Sequence, residues 1–236
     1  MFEREKFPVS ASANLHQISE SHSLRCDSRQ FEKRFLMLDE LLNSTEIIYL
    51  NEFLPNPMVK GTQHIYLDEG EGIPVINTLS IQKMAINIKD CRHISEESFD
   101  ELSKQRRLKI GDVLVTMDGG TSIGKPVLFD LGGDYTVDSH VAILRPIGIS
   151  AKALVYLLAS PLGQLQFQKY ESGASGQTAV TEEDLRRFRI PLAALMKLEK
   201  EVEEVDKERM QIESQREKLD EEEKSLWESF TLRVLK

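Results

Sequence analysis

Three stretches of this chain carry residue types that could do chemistry, and each lacks something that chemistry requires. Gly119-Gly-Thr-Ser-Ile-Gly-Lys125 has the Gly-x-x-x-x-Gly-Lys spacing of a phosphate-cradling loop. The next residue is Pro126, where a magnesium-holding Ser or Thr is needed, and Val127-Leu-Phe-Asp130 reads as a strand where a helix must follow. Asp138-Ser139-His140 sets an acid, a hydroxyl and an imidazole in a row. On a strand, alternation would turn Asp138 and His140 to one face and Ser139 to the other. No glycine-bounded nucleophile elbow surrounds that serine. Glu221-Glu-Glu223 is acid-rich but reads as a solvated helix face. Cys26 and Cys91 lie 65 positions apart, with no Cys-x-x-Cys and no grouped histidines. Reduced thiols in a cytoplasmic protein are expected, and a zinc site is not. Asn56-Pro57-Met58 is the nearest approach to an amine-methylating Asn-Pro-Pro-aromatic tetrapeptide. The chain therefore reads as non-catalytic, with no cofactor and no metal.

Contact with nucleic acid asks for less: amides, hydroxyls and cations carried on loops. Lys60, Thr62, Gln63, Asn77, Lys83, Thr121, Ser122, Lys125, Lys169, Ser172, Ser175, Gln177 and Thr178 fit that description. Gln and Asn can pair bidentately with adenine, while lysines and hydroxyls hold phosphate. The strongest group is Ser172-Gly-Ala-Ser-Gly-Gln-Thr178, where Gly173 and Gly176 let backbone amides come close to a phosphate. Charge argues the other way. The chain holds 30 Lys and Arg against 39 Asp and Glu, a net of −9, with −5 on residues 1–192 and −4 on residues 193–236. A protein that bound DNA alone through phosphates would be basic. A partner must supply much of the electrostatics, or the basic residues must gather on one face.

Positioning these residues falls to an α+β domain over residues 1–192, with an arm and helix at 1–45, followed by a long helix over 193–236. At 236 residues and 40% hydrophobic content, the chain can bury a core. It has no apolar run of about 18 residues, so no membrane span is expected. The charged opening MFEREKFPVSAS argues against a secretory signal. Residues 1–27 read as an irregular or hairpin-like arm. A helix is expected over 27–43, capped by Asp27, with Phe31, Phe35, Leu38, Leu41 and Leu42 on one face. A strand at 46–50 follows. Further strands at 63–67, 73–78, 85–88, 112–117, 126–131 and 137–145 would make a curved, mostly antiparallel sheet. Helices are expected over 95–107, capped by Ser95, and over 152–169, where Pro161 kinks or divides the run. Thr181 with Asp184 caps a short helix ending near Phe188, and Arg189-Ile-Pro-Leu192 leads out as a strand.

The last stretch has a heptad pattern. Its d positions are Leu198, Val205, Ile212, Leu219, Leu226 and Arg233, and its a positions are Leu195, Val202, Arg209, Arg216, Glu223 and Phe230. Three charges at a argue against a dry two-stranded coiled coil. The pattern suits a helix of about 60 Å that is apolar along one stripe and needs a partner, either another copy or the helix around Phe31–Leu42. The dimerisation residues expected are Leu198, Val202, Val205, Ile212, Leu219, Leu226 and Phe230.

The order of these blocks resembles the specificity subunits of type I restriction-modification systems, over roughly residues 24–236. Leu24-Arg-Cys-Asp-Ser-Arg-Gln-Phe31 is similar to their Arg-Leu-Asp-Ala-x-Tyr-Tyr opening, with Arg25-Cys26-Asp27 departing at its middle residue. Gly111-Asp-Val-Leu-Val-Thr116, Ser139-His-Val-Ala-Ile-Leu-Arg-Pro146 and the Arg-Ile-Pro-Leu exit follow in family order. Ala193-Ala194 stand where prolines are usual, and Glu199-Lys200 where a Glu-Gln pair opens the helix. The resemblance implies a target-recognition domain for double-stranded DNA in a phage-defence system. It also implies a half-size form, since family members usually carry two recognition domains and two antiparallel helices. Such a half would homodimerise through its helix and read a bipartite inverted-repeat target. Adenine-N6 methyltransferase subunits, and optionally a DNA-translocating restriction subunit, would supply the chemistry. Two other readings stand beside it: a detached module serving a single-chain methyltransferase-nuclease, and a coiled-coil adaptor that does not bind DNA.

Overall fold

The computed structural model describes residues 28–67, 72–82, 84–174 and 177–235. The expected N-terminal arm, including the Asp27 cap, lies outside them. Within the chain two compact units divide between Leu195 and Met196.

The first unit is α+β, with short strands in five small sheets among the described residues. A 3-10 turn, Ser28–Phe31, leads into α1, Lys33–Asn43. Helix α1 starts later than its apolar spacing predicts, at Lys33, and its N-cap Glu32 makes no side-chain cap. Phe35, Leu38 and Leu42 are buried as expected, but Leu41 is exposed. Strand β1, Ile47–Tyr49, then precedes β2, Val59–Lys60. The run 63–67 forms no strand; Thr62 alone makes a bridge there, to Asp138. Next come β3 (Ile73–Ile76), the ribbon β4 (Ile81–Gln82) with β5 (Ala85–Ile86), and β6 (Arg92–Ile94). Helix α2, Glu96–Asp100, has the expected Ser95 cap, whose hydroxyl accepts from Ser98 N–H at 3.2 Å, but it stops well short of residue 107.

The central sheet joins β2, β10 (Val141–Leu144), β7 (Val113–Thr116) and β8 (Pro126–Leu128) in that order, all antiparallel. Every residue of β7 and β10 is buried, so these strands read as apolar runs with no alternation. Leu114, Val127, Phe129, Val137, Val141 and Ile143 form the main core. A second sheet orders β6, β3 and β9 (Thr136–Val137), and its β3–β9 pair is parallel. The strand expected over 137–145 is therefore two strands in two sheets, broken at Asp138–His140. Asp138 turns the chain there: its Oδ1 accepts the His140 N–H at 2.9 Å, and Val141 N–H reaches Asp138 O at 3.2 Å.

Helix α3 (Ala151–Ala159) packs on β7 and β8, and α4 (Pro161–Tyr170) follows it. Ser160 divides them: its N–H closes α3 on Tyr156 O at 2.9 Å, and its hydroxyl caps α4 at Gly163 N–H. Pro161 occupies the first turn of the new helix, where its missing N–H costs nothing. The hairpin β11 (Ser172–Ala174) and β12 (Gln177–Ala179) leads to α5 (Glu182–Arg186), which has a full capping box between Thr181 and Asp184. Strand β13 (Arg189–Pro191) returns to pair with β1, Ile48 opposite Ile190, and ties the two ends of the domain together. Helix α6, Leu192–Val234, is about 64 Å long by its rise per residue. Among the described residues no helix is long and apolar enough to cross a membrane.

Candidate nucleic-acid interface

One end of the central sheet collects loops from four parts of the chain. Gly61 is the first requirement. A Cβ there would stand 2.0 Å from Asp138 O and 2.3 Å from Val137 O, so only glycine lets the chain after β2 lie against the β9 turn. That approach places Lys60, Thr62 and Gln63 beside Asp138–His140, with Gly61 N–H donating to Val141 O at 3.1 Å. On the other side, Met117 N–H donates to His140 O at 2.9 Å. The β11–β12 hairpin joins next, through a bridge from Ala179 to Asp118 and Val180 N–H donating to Met117 O at 2.8 Å. The glycine-rich turn completes the group. Lys125 N–H donates to the Thr116 hydroxyl at 2.9 Å, and that hydroxyl in turn donates to Ser122 O. Gly124, at φ +77°, lies so near the Phe167 ring that a Cβ would stand 2.7 Å from it.

Asp118 is the electrostatic hub. Its carboxylate takes Lys60 Nζ at 3.0 Å and also pairs with His140 Nδ1. Ser139 Oγ and Gln63 Oε1 are 3.4 Å apart. Beneath them Asp138 is buried, and burial pushes its carboxyl above the usual carboxylate range. The His140 N–H and the nearby His140 and His64 rings offset part of that rise, while the Asp118 charge adds to it. Carboxylates, imidazoles, an ammonium, an amide and hydroxyls thus share one sheet end, which can offer hydrogen bonds to base edges as well as cations to phosphate. Among the described residues no group of His, Cys, Asp and Glu is placed to hold a metal ion.

The structure brings together Lys60, Thr62, Gln63, Ser122, Lys125, Ser172 and Thr178. Two of these turn inward. Thr178 is buried with its hydroxyl unpartnered, and Lys125 Nζ lies 3.4 Å from Thr78 O. Thr121 and Gln177 are placed by their backbones, in the 3-10 turn Gly120–Ser122 and on β12. Lys83 and Ser175 lie outside the described residues. Asn77 and Lys169 do not belong to the cluster. Asn77 is buried, its Oδ1 accepting from Leu79 and Ser80 N–H and its Nδ2 donating to Asp90 O at 3.0 Å. Lys169 Nζ pairs with Asp39 of α1, which also takes Arg189. Asp118 and the Asp138–His140 turn were not among the contact residues expected from sequence. The signal for Asp118 was its place at the end of an apolar strand just before Gly119-Gly120.

Fold and site together define an α+β domain that presents a polar loop cluster and is followed by a long helix. Residues 59–221 match the family model described as the type I restriction modification DNA specificity domain, and the chain belongs to that family. A chain solved in work on complex assembly and conformational transition of the type I R-M system is 20% identical, with a TM-score of 0.50 over 85% of this chain and 50% of that one. The HsdS subunit from Thermoanaerobacter tengcongensis is 18% identical, with a TM-score of 0.49 over 84% of this chain and 48% of that one. The chain spans about half the length of these structures. No curated protein matches it.

Proposed function

We propose that this chain is a non-catalytic DNA-recognition subunit of a type I restriction-modification system. It directs an adenine-N6 methyltransferase, and in a restricting complex a DNA-translocating subunit, to a bipartite target. The observation that carries this reading is the specificity-domain match over residues 59–221, which runs from β2 through the whole loop cluster into α6. Lys60, Thr62, Gln63, Ser122, Ser172 and the turn around His140 are the proposed contacts. Helix α6 acts as spacer and pairing handle, bringing a second recognition half to a fixed distance. The net charge of −9 fits a subunit whose partners help to clamp the phosphates.

Two assemblies meet the need for a second helix. Two copies of the chain, related by a twofold axis, would read inverted copies of one half-site. A helix of different sequence would come with an unlike half. Adenine methylation mapped across the source genome, with the gene intact and deleted, tests both points. Loss of methylation at one bipartite motif is expected, and the motif's symmetry identifies the assembly. An unchanged methylome, with the methyltransferase expressed, would leave the chain as an adaptor.

A further inference from the structure

The stripe on α6 is open: Val205, Ile212, Leu219, Leu226 and Phe230 are 47%, 50%, 62%, 59% and 49% exposed. What borders that stripe is decisive. With Leu195 as the first a position, the e positions Glu199, Asp206, Glu213 and Asp220 are all acidic. At the g positions Glu201, Glu208 and Glu222 are acidic, and the fourth is Gln215. Neither border carries a base between residues 199 and 222. This is not a matter of composition, because Lys197, Lys200, Lys207, Lys218 and Lys224 stand on the same helix at its outer b, c and f positions. Arg209 and Arg216, at a positions inside the stripe, lie 3.9 Å from Asp206 and 3.5 Å from Glu213.

Border charges choose the partner of a heptad helix. In a parallel pair g faces e of the partner; in an antiparallel pair e faces e and g faces g. Two copies of α6 in parallel would set Glu201 against Asp206 and Glu208 against Glu213, and in antiparallel the all-acidic e border would face its own copy, an unfavourable like-charge juxtaposition in either orientation. Twofold pairing of α6 with its own copy is therefore opposed by the charges at the seam itself. We propose that α6 docks a helix of different sequence, apolar along its own stripe and bordered by Lys or Arg, in preference to a second copy of this chain. The proposal rests on the reading of α6 as a pairing helix and names the chemistry of its partner.

The test uses the full chain and two variants of it. One carries Glu199→Lys and the same change at the other six border acids. The other carries Gln at all seven, and both Lys and Gln are good helix formers. Light scattering after gel filtration, at low and high salt, reads the pairing. At low salt the wild type mixed with the Lys variant is expected to pair at least about 100-fold more tightly than the wild type with itself. High salt should narrow that gap, and the Gln variant should self-pair more tightly than the wild type. Self-pairing of the wild type as tight as the mixture overturns the proposal, and so does a Gln variant that stays monomeric while folded by circular dichroism. Failure of the DNA-recognition reading would register separately, as an unchanged methylome.

Discussion

At the scale of single residues, Asp138 is the position where burial and charge conflict. Its carboxyl is raised by burial yet accepts the His140 N–H that shapes the turn. The unfolded chain releases this proton near the usual carboxylate value, about 3.9, while the folded chain holds it to higher pH. Between those two values the folded state binds more protons, so this group's contribution to stability falls as pH rises and stays low above the folded value. Asp138→Asn keeps an oxygen for His140 and removes the buried charge. Urea unfolding at a series of pH values should find the variant at least as stable as wild type near neutrality, with its advantage shrinking as the solution is acidified. A pH-independent difference between the two would refute this account. Neighbouring Asp118 shows why type and spacing did not reveal the hub. Lys60 lies 58 positions before it and His140 22 positions after it.

At the scale of elements, the loop cluster depends on short pieces held by caps and single bridges. The β11–β12 hairpin is followed at once by α5, whose capping box at Thr181 and Asp184 fixes where the hairpin ends. Arg186 on that helix reaches back to Leu54 O at 2.8 Å and to Glu182 at 2.9 Å, which itself accepts Met58 N–H at 2.8 Å. Helix α5 thereby anchors the approach to β2 as well as the hairpin. Thr181→Ala should cost about 1 kcal/mol in chemical denaturation, and Thr181→Ser should restore most of it. Hydrogen exchange should quicken in both the hairpin and residues 54–58; a change confined to α5 would show that the helix does not anchor the loops. The cap was legible in sequence because both its partners lie within four residues. The anchoring was not, since it joins residues more than 120 positions apart.

For the whole molecule, charge governs how the proposed recognition subunit would meet DNA. With a net of −9, long-range electrostatics would oppose binding through the proposed contacts at Lys60 and the loop amides. The chain alone should bind duplex containing its methylated motif weakly, and the assembly with its methyltransferase more tightly, with a steeper dependence on salt. Fluorescence anisotropy over a salt series measures both. Equal affinity and equal slope would mean that this chain supplies the phosphate contacts unaided.

By itself the sequence determined whatever is decided within a few residues. The long helix follows from its heptads, the boundary at Ser160-Pro161 from a hydroxyl cap and a residue without an N–H, and the acidic borders of α6 from simple spacing. It also carried the α+β class and the order of blocks. Tertiary structure decided which distant pieces share a surface. It divided the run 137–145 between two sheets, left 63–67 without a strand, and turned Asn77 and Lys169 to structural contacts while drawing Asp118, Lys60 and His140 together. The reason is physical. Caps and periodicity are local interactions that the chain states directly, whereas pairing across 22 or 58 residues depends on packing and on close approaches such as the one Gly61 permits.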